Sequence, residues 1–236
     1  MHLTIELRLR RFLWILFLLS LALSFLSVAD DLLERVGGPA SQALEPLLRS
    51  DAESSLARWY FTLMMFLCSG AAAAVAQRVA QRPQPHAGGK LAWGSIAAVC
   101  LLLSAAKTTS AKSVVMHLAR SALHLARLSI PRTVAAAALL AILAIAYLPF
   151  LAGLLPTTRR RHLAAAAVYL GGAVVLDVGN GFVWHAAGEG SLAYAASSTL
   201  EELVEGTGAI LFLRAVLGHL VWYGKEQTAQ NERNPP

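Results

Sequence analysis

Two apolar stretches near the C-terminal end decide the fold: LAAAAVYLGGAVVLDVGNGFVWH at 163–185 and LEELVEGTGAILFLRAVLGHLVWY at 200–223. A helix needs roughly 20 apolar residues to cross about 30 Å of hydrocarbon, and each stretch is long enough. Each also carries ionisable side chains, which are costly in lipid and usually face the interior of a helical bundle. The two stretches therefore predict neighbouring transmembrane helices with a polar cluster between them.

The composition of the whole chain supports a membrane protein. Of its 236 residues, 56% are hydrophobic and only 14% are charged, whereas soluble domains have about 25% charged residues. This balance excludes a soluble enzyme, a disordered regulator and a nucleic-acid-binding protein. The two cysteines, Cys68 and Cys100, lie within apolar segments, so we expect buried free thiols rather than a disulfide.

Six apolar segments are long enough to be candidate spans. They are 12–29, 58–76, 91–106, 133–155, 163–185 and 200–223. The predicted fold class is therefore all-α, a polytopic transmembrane helical bundle of six spans in one domain, residues 1–225. The polar segment 226–236 is expected to be a disordered tail.

Basic residues flank the spans mainly on one side of the membrane. Arg10 and Arg11 precede the first span, Arg159–Arg161 precede the fifth, and Lys225 follows the sixth. The positive-inside rule then predicts that both termini are cytoplasmic. The first span has a second interpretation, because its Ser27-Val28-Ala29 end resembles a signal-peptide cleavage site. Cleavage would leave the other five spans oriented in the same way.

The segment 107–132 is basic and contains no acidic residue. Its helical spacing predicts an amphipathic helix at the outer membrane interface. Three interpretations remain open: contact with solvent or headgroups, ionic docking onto the acidic segment 30–57, and binding of an anionic ligand. His117 and His124 are two turns apart, about 10 Å, which is too far to bind one zinc ion. The predicted outer basic face consists of Lys107, Lys112, His117, Arg120, His124 and Arg127.

The last two spans carry the predicted intramembrane polar cluster. Ser198 and Thr199 each precede a glutamate by three residues, as in the capping box that begins many helices. Capping therefore competes with a role in the cluster for the first two glutamates, whereas the third lies one turn deeper. The predicted cluster consists of Asp177, Asn180, Glu201, Glu202, Glu205 and Arg214.

Arg214 is the basic residue of this predicted cluster. We predict that it is linked to Asp177 directly or through water. Their side chains tilt toward each other, because each tilts toward the N-terminus of its own helix and the helices are antiparallel. Alternatively, Arg214 extends to the headgroups. Glu205 is predicted at a depth similar to that of Asp177 and within reach of Lys107. The glycines beside the two carboxylates, at 179, 181, 206 and 208, would permit close helix approach.

Two further residues, His162 and His219, lie near the inner ends of their helices. Facing histidines could hold a haem, but polar packing at the interface fits them better. We therefore predict neither a cofactor nor a metal site.

Three stretches of the chain resemble a family of uncharacterised bacterial six-helix membrane proteins: 47–64 (LLRSDAESSLARWYFTLM), 171–181 (GGAVVLDVGNG) and 198–217 (STLEELVEGTGAILFLRAVL). The strongest match is the Glu-Glu-x-x-Glu run at 201–205, and the family's acid on the fifth helix corresponds to Asp177. The resemblance implies a bacterial inner-membrane location, and some members carry a general transporter label. Ala106, Lys107 and Lys112 depart from the family, which has an acidic pair and a histidine there.

Three functional hypotheses follow. The first is a non-enzymatic integral membrane protein that serves as a subunit or accessory of a membrane assembly, with another membrane protein or a second copy as partner. The absence of a nucleophile–base set in the sequence favours it. The second is a transporter of an ion or small solute along Asp177, Glu205 and Arg214. The third is an intramembrane metal-dependent hydrolase that uses the carboxylates.

Overall fold

A computed structural model describes residues 2–35, 55–81, 88–108, 132–188 and 190–233. These ranges form six continuous helices and contain no strand, so the all-helical prediction is confirmed for them. Helix α5 contains one π-helical turn, Gly171–Leu176, between the α-helical parts Pro156–Leu170 and Asp177–Ala187. The helices are α1 (His2–Arg35), α2 (Leu56–Gln81), α3 (Lys90–Thr108), α4 (Arg132–Gly153), α5 (Pro156–Ala187) and α6 (Leu192–Arg233).

Four of these helices are long and apolar enough to cross a membrane: α1, α2, α5 and α6. The other two contain shorter apolar segments, Lys90–Ala105 in α3 and Ala144–Gly153 in α4. Within the described residues, the structure therefore supports a membrane protein with at least these four candidate spans.

Several predictions fall outside the described residues. Most of the predicted acidic segment, 30–57, and most of the predicted outer basic helix, 107–132, fall in the ranges 36–54 and 109–131, which are not described. The acidic segment was expected to begin at residue 30, but residues 30–35 belong to α1. Lys107 belongs to α3, but its side chain is not described, so its predicted contact with the glutamates is outside the described structure. The outer basic face therefore stays a prediction.

Helix α6 forms the centre of the bundle, since α1, α2 and α5 all pack against it. Residues at helical spacing on α2, among them Met64, Cys68 and Val75, are fully buried and face this centre. The Cys68 thiol lies 3.5 Å from the carbonyl oxygen of Ala209 on α6. As expected, both cysteines are free and buried. Burial of small side chains lets the helix backbones approach closely.

Hydroxyl groups join neighbouring helices through backbone carbonyls. Ser69 and Ser104 link α2 and α3, with donor–acceptor distances of 2.8 and 2.9 Å. The Tyr60 hydroxyl on α2 donates to the carbonyl oxygen of Leu16 on α1 at 2.7 Å. Such bonds satisfy polar groups that lipid could not.

The connection between α5 and α6 is short. Gly188 ends α5 with a φ of 85°, and its N–H donates to Trp184 at 2.9 Å. Positive φ costs glycine little, which makes it the usual residue at this position. The Ser191 hydroxyl then accepts the N–H of Tyr194 at 3.1 Å and caps α6.

The start of α6 at Leu192 corrects the capping-box interpretation of Ser198 and Thr199. Ser198 and Thr199 lie inside α6, about two turns beyond its first residue. Glu201 and Glu202 are therefore interior residues of a helix and not part of its first turn. The helix also continues to Arg233, beyond the predicted domain end at 225.

Candidate functional site

The glutamates of α6 contact different neighbouring helices. Glu205 is 5% exposed, and with Glu202 it lines a cavity of about 50 Å³ between α1, α2 and α6. A cavity of this size holds water-sized molecules. Its other polar lining residues are Ser20, Ser24, Arg58 and Tyr60.

Glu201 faces the opposite neighbour, α5. The side-chain amide of Asn180, itself buried, donates a hydrogen bond to a carboxylate oxygen of Glu201. A hydrogen bond from an amide to an ionised carboxylate is charge-assisted and stronger than one between neutral groups. Glu201 thus joins α5 to α6, whereas Glu202 and Glu205 face α1 and α2.

The register between α5 and α6 follows from two close contacts with backbone atoms. A Cβ at Gly208 would lie 2.6 Å from the backbone of Tyr169, and one at Gly172 would lie 2.9 Å from the N atom of Glu205. Further along, the Arg161 guanidinium would lie 3.0 Å from a Cβ at Gly218. Two of the four glycines expected to permit close approach, those at 179 and 181, have open space around a Cβ within the described structure.

This register separates Asp177 from Arg214 and corrects their predicted link. Along the helix axes, Asp177 lies at the same height as the start of the glutamate run in α6. Arg214 lies at the height of α5 residues about 13 positions before Asp177. At 1.5 Å per residue the two are roughly 20 Å apart along the helices. Both side chains are exposed on the described structure. The depth estimate from sequence failed because it counted from helix ends that lie elsewhere.

Arg214 instead lines a groove between α1 and α6, here called the basic groove. Its volume is about 800 Å³, within the range of ligand pockets. Four exposed basic side chains from three helices line it, and no carboxylate is among its described lining residues. They are Arg10, Arg161, Arg214 and Lys225.

His162 and His219 pack on one aromatic ring. His219 stacks on Trp93 with ring centroids 5.1 Å apart, and His162 meets the same ring edge-on at 5.6 Å. The Nδ1 atom of His162 is 2.9 Å from the carbonyl oxygen of Thr158. Nδ1–H therefore donates this bond, which leaves Nε2 as the acceptor nitrogen. This arrangement corresponds to the polar-packing interpretation.

Metal binding gains no support from the described residues. They contain no group of three or more histidine, cysteine, aspartate or glutamate side chains that could hold an ion. The hydrolase hypothesis requires such a group, because its chemistry depends on a metal held by the carboxylates.

Sequence reasoning missed the partners that α1 and α2 contribute to the cavity. Arg58 was used only to mark the start of a span, although a charged residue in the first turn of an apolar helix is itself a signal. Ser20 and Ser24 are four residues apart, which places both on one face of α1. That spacing could have indicated a polar face directed into the bundle.

Comparison with known proteins gives one family. The model of a domain of unknown function, DUF8692, matches residues 13–220. The chain belongs to this family. Its matched range begins in α1 and ends in α6, so it includes the polar cavity, the Asn180–Glu201 contact and Asp177. No curated protein and no solved structure matches the chain.

Proposed function

We propose that this member of DUF8692 is a non-enzymatic subunit of a bacterial inner-membrane assembly, in which a transmembrane helix of a partner subunit covers Asp177. One observation carries the proposal. Asp177 lies within the candidate span Pro156–Ala187, yet its side chain is exposed on the outside of the bundle. Its distance from the end of that span is about 15 Å.

A carboxylate in this position is costly next to acyl chains and is usually found facing protein or water. The residues around it are strongly apolar and exposed: Val175 is 69% exposed and Phe182 is 71% exposed. We call Val175, Asp177, Val178, Gly181 and Phe182 the Asp177 surface. A partner helix that carries a hydrogen-bond donor would both cover the apolar area and donate a hydrogen bond to the carboxylate.

The transport hypothesis requires a water-accessible path that joins Asp177 to Glu205. The cavity at Glu205 is small, about 50 Å³, and Asp177 is not among its described lining residues. The geometry therefore favours the subunit hypothesis.

We further propose that the chain has six spans and that both of its termini lie in the cytoplasm. Helix α3 packs along α2 through Ser69 and Ser104, so its apolar segment would share the same membrane layer. The ring of Phe150 on α4 packs edge-on against Trp93 of α3 at 5.1 Å. The basic groove, at the end that carries both termini, would face the cytoplasm under the positive-inside rule.

Photo-crosslinking in membranes of the native cells tests the partner contact. A benzophenone analogue of phenylalanine replaces Phe182 on the Asp177 surface. The matched control carries it at Phe66, which is 58% exposed on α2. We expect a discrete cross-linked product from position 182 and none from position 66, identified by mass spectrometry as another membrane protein or a second copy.

The Asp177→Asn variant then tests the role of the charge. A hydrogen bond to a charged group is stronger than one to a neutral group, so we expect the yield from position 182 to fall about tenfold. Lipid adducts alone at position 182, or equal protein products at both positions, would contradict the proposal. A product whose yield does not depend on Asp177 would also contradict it.

A further inference from the structure

We propose that the basic groove binds the phosphate headgroup of an anionic phospholipid, with an acyl chain along the apolar wall formed by α1. The groove is separate from the Asp177 surface, and this inference does not depend on the proposed subunit role. It rests on charge, on shape and on the position of the groove within the candidate spans.

The cations of the groove favour an anionic ligand. Arg214 lies eleven residues before Lys225 in α6, so the basic side chains extend about 16 Å into the bundle. A guanidinium at that depth is costly without a counter-charge, and no carboxylate lines the described groove. Basic pockets between transmembrane helices on the cytoplasmic side are typical headgroup sites.

The backbone of α6 makes room for one of these cations. Arg161 comes from α5, yet its guanidinium lies over Gly218 of α6, where a Cβ would be only 3.0 Å from Nη1. Only glycine gives a guanidinium this approach without displacement. Planar guanidinium groups suit phosphate oxygens because they donate two parallel hydrogen bonds.

The apolar wall makes the occupant a lipid rather than a soluble anion. Along α1 the groove continues from Arg10 past Leu13 and Trp14 to Phe17. Trp14 is 54% exposed, and the whole of this wall lies inside the candidate span Leu7–Asp30. An occupant that meets both the cations and this wall must be amphiphilic.

Binding is measured on the full chain, purified in mild detergent and delipidated, by native mass spectrometry and by the shift of Tm. The probes are short-chain phosphatidylglycerol, phosphatidylcholine of the same chain length, and inorganic phosphate. We expect phosphatidylglycerol to bind about tenfold or more tightly than phosphatidylcholine, with little effect of inorganic phosphate.

Two double variants with the same change in net charge locate the site. Arg161→Gln/Arg214→Gln removes two groove cations, whereas Arg11→Gln/Arg160→Gln removes two exposed cations that do not line the groove. Each basic residue near an anionic headgroup strengthens binding about fivefold, so the first pair should weaken it about 30-fold. The second pair should change it by about twofold or less, since exposed charges are screened.

A variant without a charge change gives an independent test. Gly218→Leu displaces the Arg161 guanidinium and narrows the groove, so it should also weaken phosphatidylglycerol binding. The Tm of the Gly218→Leu variant without lipid shows whether this variant is folded. If it is not folded, the comparison of the two double variants tests the proposal.

Three results would overturn the proposal. Equal weakening by the two double variants would indicate general attraction rather than a site. Stabilisation by inorganic phosphate equal to that by phosphatidylglycerol would indicate a soluble anion. No preference for phosphatidylglycerol over phosphatidylcholine would indicate that the groove does not recognise an anionic headgroup.

Discussion

Single glycines set how closely α5 approaches α6. Gly208 and Gly181 both lie in glycine-rich parts of these helices, and sequence spacing alone treats them alike. A Cβ at Gly208 would be 2.6 Å from backbone atoms of Tyr169, whereas one at Gly181 would meet no described atom within 4 Å. Backbone atoms cannot move aside as a flexible side chain can, so Gly208 is required by the packing and Gly181 is not.

Gly208→Ala should therefore lower the free energy of unfolding by about 1–3 kcal/mol, the usual cost of overpacking. The measurement is equilibrium unfolding in mixed micelles with a denaturing detergent. Gly181→Ala is the matched control and should cost nothing, because alanine is the better helix former. Equal losses in the two variants would show that the α5–α6 contact is not as close as described.

Helix α6 illustrates how an element boundary changes the meaning of its residues. The sequence around Ser198 and Thr199 fits a capping box, and local pattern alone cannot exclude it. In the structure the cap is Ser191, seven residues earlier, and its hydroxyl accepts the N–H of Tyr194. Because the helix begins about two turns earlier, Glu201 is not a capping residue. Its carboxylate instead accepts a hydrogen bond from the side-chain amide of Asn180.

Ser191→Ala should destabilise the protein by about 1 kcal/mol through loss of this cap. Ser198→Ala is the control, and it should have almost no effect because residue 198 lies inside the helix. Both are compared with the unsubstituted chain by the same mixed-micelle unfolding experiment. A larger loss in Ser198→Ala than in Ser191→Ala would restore the capping-box prediction.

The orientation of the whole molecule in the membrane can be tested at the two ends of α6. Gly190 precedes this helix and tolerates a Cβ, and Glu226 is exposed near its other end. Under the proposed topology, a membrane-impermeant maleimide added to spheroplasts should label Gly190→Cys at once. Glu226→Cys should react only after lysis.

The native thiols provide the background control for this experiment. Cys68 and Cys100 are buried and should stay unlabelled in either case. Labelling of Glu226→Cys before lysis, with Gly190→Cys protected, would show that the proposed orientation is inverted.

The candidate site was predictable from sequence only in part. Ionisable residues inside apolar segments are rare, so Asp177, Glu205 and Arg214 could be singled out directly. Their neighbours could not, because Arg58 and Ser20 reach the cavity from helices far away in the chain. Their roles depend on which helix faces which, and that depends on close packing.

The amino-acid sequence by itself determined that the chain forms long apolar helices, because the length and composition of each segment decide whether it suits a bilayer. It also determined which few charges lie within those segments. Only the tertiary structure decided that Arg214 joins the basic groove while Asp177 lies about 20 Å away on another surface. The reason is register: backbone contacts at Gly172 and Gly208 fix how α5 and α6 align, and hydropathy does not record them.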